Sequence, residues 1–215
     1  MVNYSFVFWY CNNILPLELI VERTRKFMSL EGFKLALKLL VIGFFIIKLY
    51  HISTEAYFDS GSRFNKTYAI ENSLSEHIYT TETRANITND LLEELEKHVD
   101  EGDYLLAYDK IPMVNFLTKT KPYMYNSWVW VYDSYTFEKQ LWRAEHEINE
   151  LPIVVQQKFE TIRAFSDPDP DYMSETKTET YHYKSGRVKA MNAFLKRNNY
   201  NIIWSNSHFN IYKHN

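Results

Sequence analysis

Cysteine is almost missing from this chain of 215 residues: Cys11 stands alone, so no intramolecular disulfide can form. Glycine is scarce, at 5 residues, and neither GxGxxG nor GxxxxGK[ST] occurs, which removes the common phosphate-cradling loops. The histidines show no HxxxH or HExxH spacing. Glu145, His146 and Glu147 are consecutive on an expected helix and so point in different directions. No metal site and no cofactor are expected. Neither GxSxG nor a catalytic-cysteine pattern is present, and no catalytic residue is assigned. Net charge is −3, and no Lys/Arg stripe interleaved with aromatics exists, so no nucleic-acid partner is expected.

Aromatic residues are abundant instead, at 17%, with 17 Tyr and 14 Phe. So is one long apolar run, residues 33–52, FKLALKLLVIGFFIIKLYHI. As a helix it reaches about 30 Å, the thickness of a bilayer's hydrocarbon core. Its apolar side chains favour insertion by about 5 kcal/mol in total. Lys34, Lys38 and Lys48 lie toward the ends, where they can extend to the headgroups. A signal-peptide core, a flat amphipathic helix and a buried soluble helix are the competing readings. No small-x-small cleavage site follows the run, however, and its apolar residues are not confined to one face. Arg23, Arg25, Lys26, Lys34 and Lys38 crowd the N-terminal flank, which places the N-terminus in the cytoplasm and residues 53–215 outside it.

Residues 1–32 form an apolar, aromatic and then basic leader, 33–52 the membrane helix, 53–73 a linker, and 74–215 an α/β domain. Within that domain, residues 77–81 are strand-like. Ile87, Leu91, Leu92, Leu95 and Val99 recur at helical spacing, and Gly102 ends that element. Residues 103–108 and 152–158 read as buried strands, and 112–118 as a short helix opened by Pro112. The spacing predicts an extended aromatic segment over 123–133, in which Tyr123, Tyr125 and Ser127 share one face. Ser134 caps a helix to Glu147 with Phe137, Leu141, Ala144 and Ile148 inward. Residues 163–186 read as an acidic surface loop, 187–198 as a helix, and 200–204 and 208–212 as closing strands. Strands alternating with helices predict an α/β sandwich with a largely parallel, Rossmann-like sheet.

GDYLLAYDKIP at 102–112, NFLTKTKPYMYNSW at 115–128 and LPIVVQQKF at 151–159 carry a resemblance. Together they resemble the C-terminal soluble region of bacterial polytopic glycosyltransferases of the GT-C class, dolichyl-phosphate-mannose-protein mannosyltransferase-like. The resemblance covers residues 33–212 and implies a domain on the periplasmic side of a bacterial inner membrane. The partners it implies are membrane lipid and either a polyprenyl-phosphate sugar or a glycan acceptor. That group's catalytic acids lie in an early loop between membrane helices, a region this sequence does not contain. The chain then resembles a non-catalytic, truncated C-terminal piece.

Ligand contact is expected at Asp109 and Lys110, because open α/β sheets bind beyond the carboxyl ends of their strands. Tyr123, Tyr125, Trp128 and Trp130 are candidates to stack on sugar rings. The same residues also read as a polar strand end and as core or interface packing. A single-pass anchored module binding a protein partner or a glycan remains the alternative function.

Overall fold

A computed structural model describes residues 29–56, 59–161, 165, 171–181 and 183–215. Residues 1–28 of the leader, with Cys11, and most of the stretch 162–170 lie outside the described residues. The chain divides into two compact units, one ending at Thr54 and the other running over Glu55–Asn215.

In the first unit, α1 spans Leu30–Thr54. Its 25 residues correspond to about 37 Å, more than a hydrocarbon core requires. None of its residues is buried, and by length and composition it can cross a membrane. Near its start Lys34 pairs with Glu31 at 2.9 Å. The Ser53 and Thr54 hydroxyls donate to the Tyr50 carbonyl at its end.

The second unit opens with short strands β1 (Glu55–Ala56) and β2 (Asp59–Ser62), which pair antiparallel, and a 3-10 turn at Arg63–Asn65. Strands β3 (Tyr68–Ala69) and β4 (Tyr79–Thr80) form a second small hairpin. The linker expected over 53–73 therefore contains β1, β2 and β3.

The main sheet has order β6-β5-β7-β9-β8, built from β5 (Tyr104–Tyr108), β6 (Lys121–Pro122), β7 (Ile153–Gln157), β8 (Tyr200–Ser205) and β9 (Phe209–His214). Strands β6, β5 and β7 run parallel, β9 is antiparallel to β7, and β8 is antiparallel to β9. The sheet is thus mixed with mostly parallel strands. The two closing strands are joined by a tight turn, which forces them to run in opposite directions. Strand β7 lies between β5 and β9, and all five of its residues are buried, as expected for a strand covered on both faces.

Pleating sends alternate residues to opposite faces. Leu106, Tyr108 and Val154 pack with Phe137, Leu141 and Ala144 of α4 (Ser134–Glu147) and with Met191 and Phe194 of α5 (Ser185–Arg197). Leu105, Ala107, Ile153 and Val155 pack with Leu91 and Leu95 of α2 (Glu82–Leu95) and Val114 of α3 (Met113–Leu117). Helix α2 is capped by Thr81, whose hydroxyl accepts from the Arg84 N–H at 3.4 Å. Helix α4 is capped by Asp133, one residue before the expected Ser134, and its carboxylate accepts from the Thr136 N–H at 2.7 Å. A Cβ added at Gly186 would fall 2.4 Å from Ser134 Oγ, so only glycine lets the start of α5 lie against the start of α4.

The extended segment expected over 123–133 does not form. After Pro122 the chain turns: Tyr125 takes φ +60°, and the Asn126 side chain accepts from the Trp128 N–H at 2.9 Å. Residues Val129–Val131 then make a 3-10 turn. An Asn carboxamide bonded to the backbone two residues on is a turn former, and it interrupts the alternation of aromatics. Tyr123 and Tyr125 accordingly do not share a face: Tyr123 is fully buried and Tyr125 is 46% exposed.

Candidate functional site

Strands β5 and β7 are parallel neighbours whose chains leave the sheet toward opposite faces. Strand β5 continues into α3, on the Leu105–Ala107 side, whereas the helix that follows β7 is α5, on the Leu106–Tyr108 side. That divergence opens a crevice outside the carboxyl ends of the strands, the usual ligand position in an α/β sheet. Asp109 and Lys110 enter it from β5, where the Tyr108–Asp109 peptide is cis.

Four charged side chains fill the crevice as two pairs. Arg187 of α5 donates from Nη2 to Asp109 Oδ2 at 3.0 Å, with both side chains almost fully buried. Lys110 Nζ lies 3.0 Å from Glu160 Oε2, linking the ends of β5 and β7. Each pair offsets the cost of removing its partner from water. Arg187 also donates from Nη1 to the carbonyls of Trp130 and Tyr132, at 2.7 and 2.9 Å. One buried arginine therefore fixes both the carboxylate and the aromatic turn.

Lys110 also lies between the Trp130 and Tyr172 rings, 5.9 and 6.0 Å from their centroids. Tyr172 accepts from Gln157 Nε2 at 2.8 Å, and Gln157 in turn accepts from Thr161. Burial raises the Asp109 carboxyl above its ordinary value, and the cations of Arg187 and Lys110 only partly offset this. Burial likewise raises the Tyr172 phenol, with Asp109 adding to the effect. Among the described residues, Asp109 Oδ1 and Arg187 Nε have no hydrogen-bond partner.

Beside the pairs lies an open cavity of about 430 Å³, lined by Lys110, Met113, Phe116, Trp128 and Trp130 among others. The Trp128 and Trp130 ring centroids are 6.1 Å apart at 47°. Met113, Phe116 and Trp128 are each about half exposed, at 50, 53 and 51%. Lys110 and Ser127 among aromatic and apolar walls suit a ligand with a polar group on one side and C–H faces on the other.

Of the six residues expected to contact ligand, the fold gathers Asp109, Lys110, Trp128 and Trp130 around this crevice. Tyr123 is separated from it, since it packs in the core against Phe194 and Tyr104. Tyr125 is also elsewhere, donating to Glu147 at 2.7 Å beneath the Arg143 guanidinium.

Arg187, Glu160, Gln157 and Tyr172 were not expected. Arg187 had a signal: it lies four residues before Met191, on the apolar stripe of its helix, where a charge requires a buried partner. Tyr172 belongs to the stretch expected to be a surface loop, yet it is buried. Among the described residues, no group of three His, Cys, Asp or Glu is placed to hold a metal ion. Comparison with protein-family models, with curated proteins and with solved structures finds no match to this chain.

Proposed function

We propose that this chain is a membrane-anchored α/β module whose crevice binds carbohydrate. In this reading it is the non-catalytic, periplasmic domain of a bacterial inner-membrane glycosyltransferase that uses lipid-linked sugar. The single observation that carries the reading is the cavity that Trp128 and Trp130 line together with Lys110 at the carboxyl end of β5. Indole faces stack on the C–H faces of sugar rings, and a lysine on the same wall can donate to hydroxyls or to a phosphate. The sheet is read as Rossmann-like in the one respect that matters here: its ligand sits at a switch point between parallel strands. Helix α1 would hold the module at the membrane, with the basic flank at 23–38 keeping the N-terminus in the cytoplasm.

The test uses the full chain in nanodiscs, titrated with mannose-, glucose- and galactose-containing oligosaccharides while tryptophan fluorescence is followed. Saturable binding that is lost in Trp128→Ala is expected, together with no sugar transfer from a polyprenyl-phosphate donor. Absence of binding to every sugar would overturn the carbohydrate reading, and unaided transfer would overturn the non-catalytic one.

A further inference from the structure

The two edges of the main sheet are built differently. Strand β6 closes one edge with two residues, Lys121 and Pro122. A short edge, a lysine and a proline each discourage a further strand from pairing there. Strand β8 closes the other edge with six residues, Tyr200–Ser205, and has no charged residue, no proline and no glycine. It lies within 198–212, the longest stretch of the second unit without Asp, Glu, Lys or Arg, in a chain that is 24% charged.

Backbone groups alternate in direction along a strand, so those of β8 that turn away from β9 face outward. Among the described residues, no backbone hydrogen bond outside the β8–β9 ladder reaches Tyr200–Ser205. Ile202 and Ile203 on this edge are 54 and 39% exposed. One feature tempers the edge: the register shifts between Ile202 and Trp204, a bulge that bends the strand and leaves residues 200–202 as its regular part. A row of outward N–H and C=O groups matches one partner chemistry, another extended strand.

We propose that β8 pairs with the β8 of a second copy of this chain, antiparallel about a twofold axis, joining two five-stranded sheets edge to edge. A twofold pair brings the same patch from each side, and a strand without charges meets its own copy with no like-charge contact. Centred on Asn201, the pairing sets Asn201 beside its counterpart, amide to amide, and Tyr200 opposite Ile202, an aromatic residue against a β-branched one. So few paired residues bury little surface. The pairing therefore relies on α1 to confine both copies to one bilayer and raise their effective concentration. It rests on the membrane-anchored reading and not on the carbohydrate one.

The full chain, with Cys11→Ser to remove the native thiol, is reconstituted in phospholipid vesicles, and carbonate extraction checks the anchor separately. Single cysteines are placed in turn at Asn201, Ile202, Ile203 and Ser205 and oxidised with copper–phenanthroline. Expected is a disulfide-linked dimer whose yield peaks at Asn201→Cys and falls toward Ser205. Tyr135→Cys, 74% exposed on α4, is the background. Adding Ile202→Lys to Asn201→Cys places like charges across the pair and should lower the yield by about fivefold, with near-UV circular dichroism unchanged. Yields no higher than the background, equal yields along β8, or a yield indifferent to Ile202→Lys overturn the pairing. Loss of the chain to carbonate overturns the anchor, and with it a pairing that depends on the bilayer.

Discussion

The two faces of the central sheet begin from the same strand alternation and end differently. One face is closed: α4 and α5, of 14 and 13 residues, lay Phe137, Leu141, Met191 and Phe194 over Leu106, Tyr108 and Val154. The other is covered by α2, by the five-residue α3 and by a hairpin of two-residue strands, and it retains a cavity of about 360 Å³. Five residues make little more than one helical turn, too short to roof a strand pair. Open space thus arises where the covering elements are short, at the end of the sheet where β5 and β7 diverge.

Breaking that comparison calls for the same cut on both faces. The largest effect is expected for Arg187→Ala, which leaves Asp109 buried without its cation and removes two donors from the Trp130 turn. It should destabilise the domain by about 3–5 kcal/mol in thermal unfolding followed by near-UV circular dichroism, and it should broaden the Trp128 fluorescence as well. Next come Leu141→Ala and Leu91→Ala, identical changes at side chains that are 1 and 2% exposed. Leucine truncation in a core costs about 2–5 kcal/mol, more where the gap cannot relax or fill. Leu141, on the closed face, should fall at the upper end and Leu91, on the cavity wall, at the lower. Equal losses would mean that the two faces are packed alike.

The smallest effect is a pH trend at Asp109. Its folded pKa is raised by burial, so its contribution to stability is full below the ordinary carboxyl range and is lost as pH rises through the folded value. Asp109→Asn removes that dependence. The destabilisation it causes should therefore shrink as pH rises from about 4. A gap that widens with pH would show that pairing with Arg187 outweighs burial.

Much of the frame was readable residue by residue. The apolar stripe Leu91, Leu92, Leu95 marked α2, the Phe137, Leu141, Ala144 spacing marked α4, and the unbroken run Ile153, Val154, Val155 marked the central strand. The 123–133 segment was misread because alternating aromatics imitate a strand, while the Asn126 carboxamide, a single local hydrogen bond, decides for a turn. At the site, Asp109 and Lys110 followed from their place at a strand end, and their partners did not.

Sequence alone determined the apolar helix, the alternation of strands and helices, and the polar end of β5, because each depends on neighbours within one or two turns or pleats. Only the tertiary structure decided that β9 lies antiparallel beside β7 and that Tyr123 is buried apart from Trp128. It alone joined Asp109 to Arg187 across 78 positions and Lys110 to Glu160 across 50. Contacts at such separations leave no period in the chain. They are set by which helix covers which face of the sheet, and that choice is made by the packing of the whole domain.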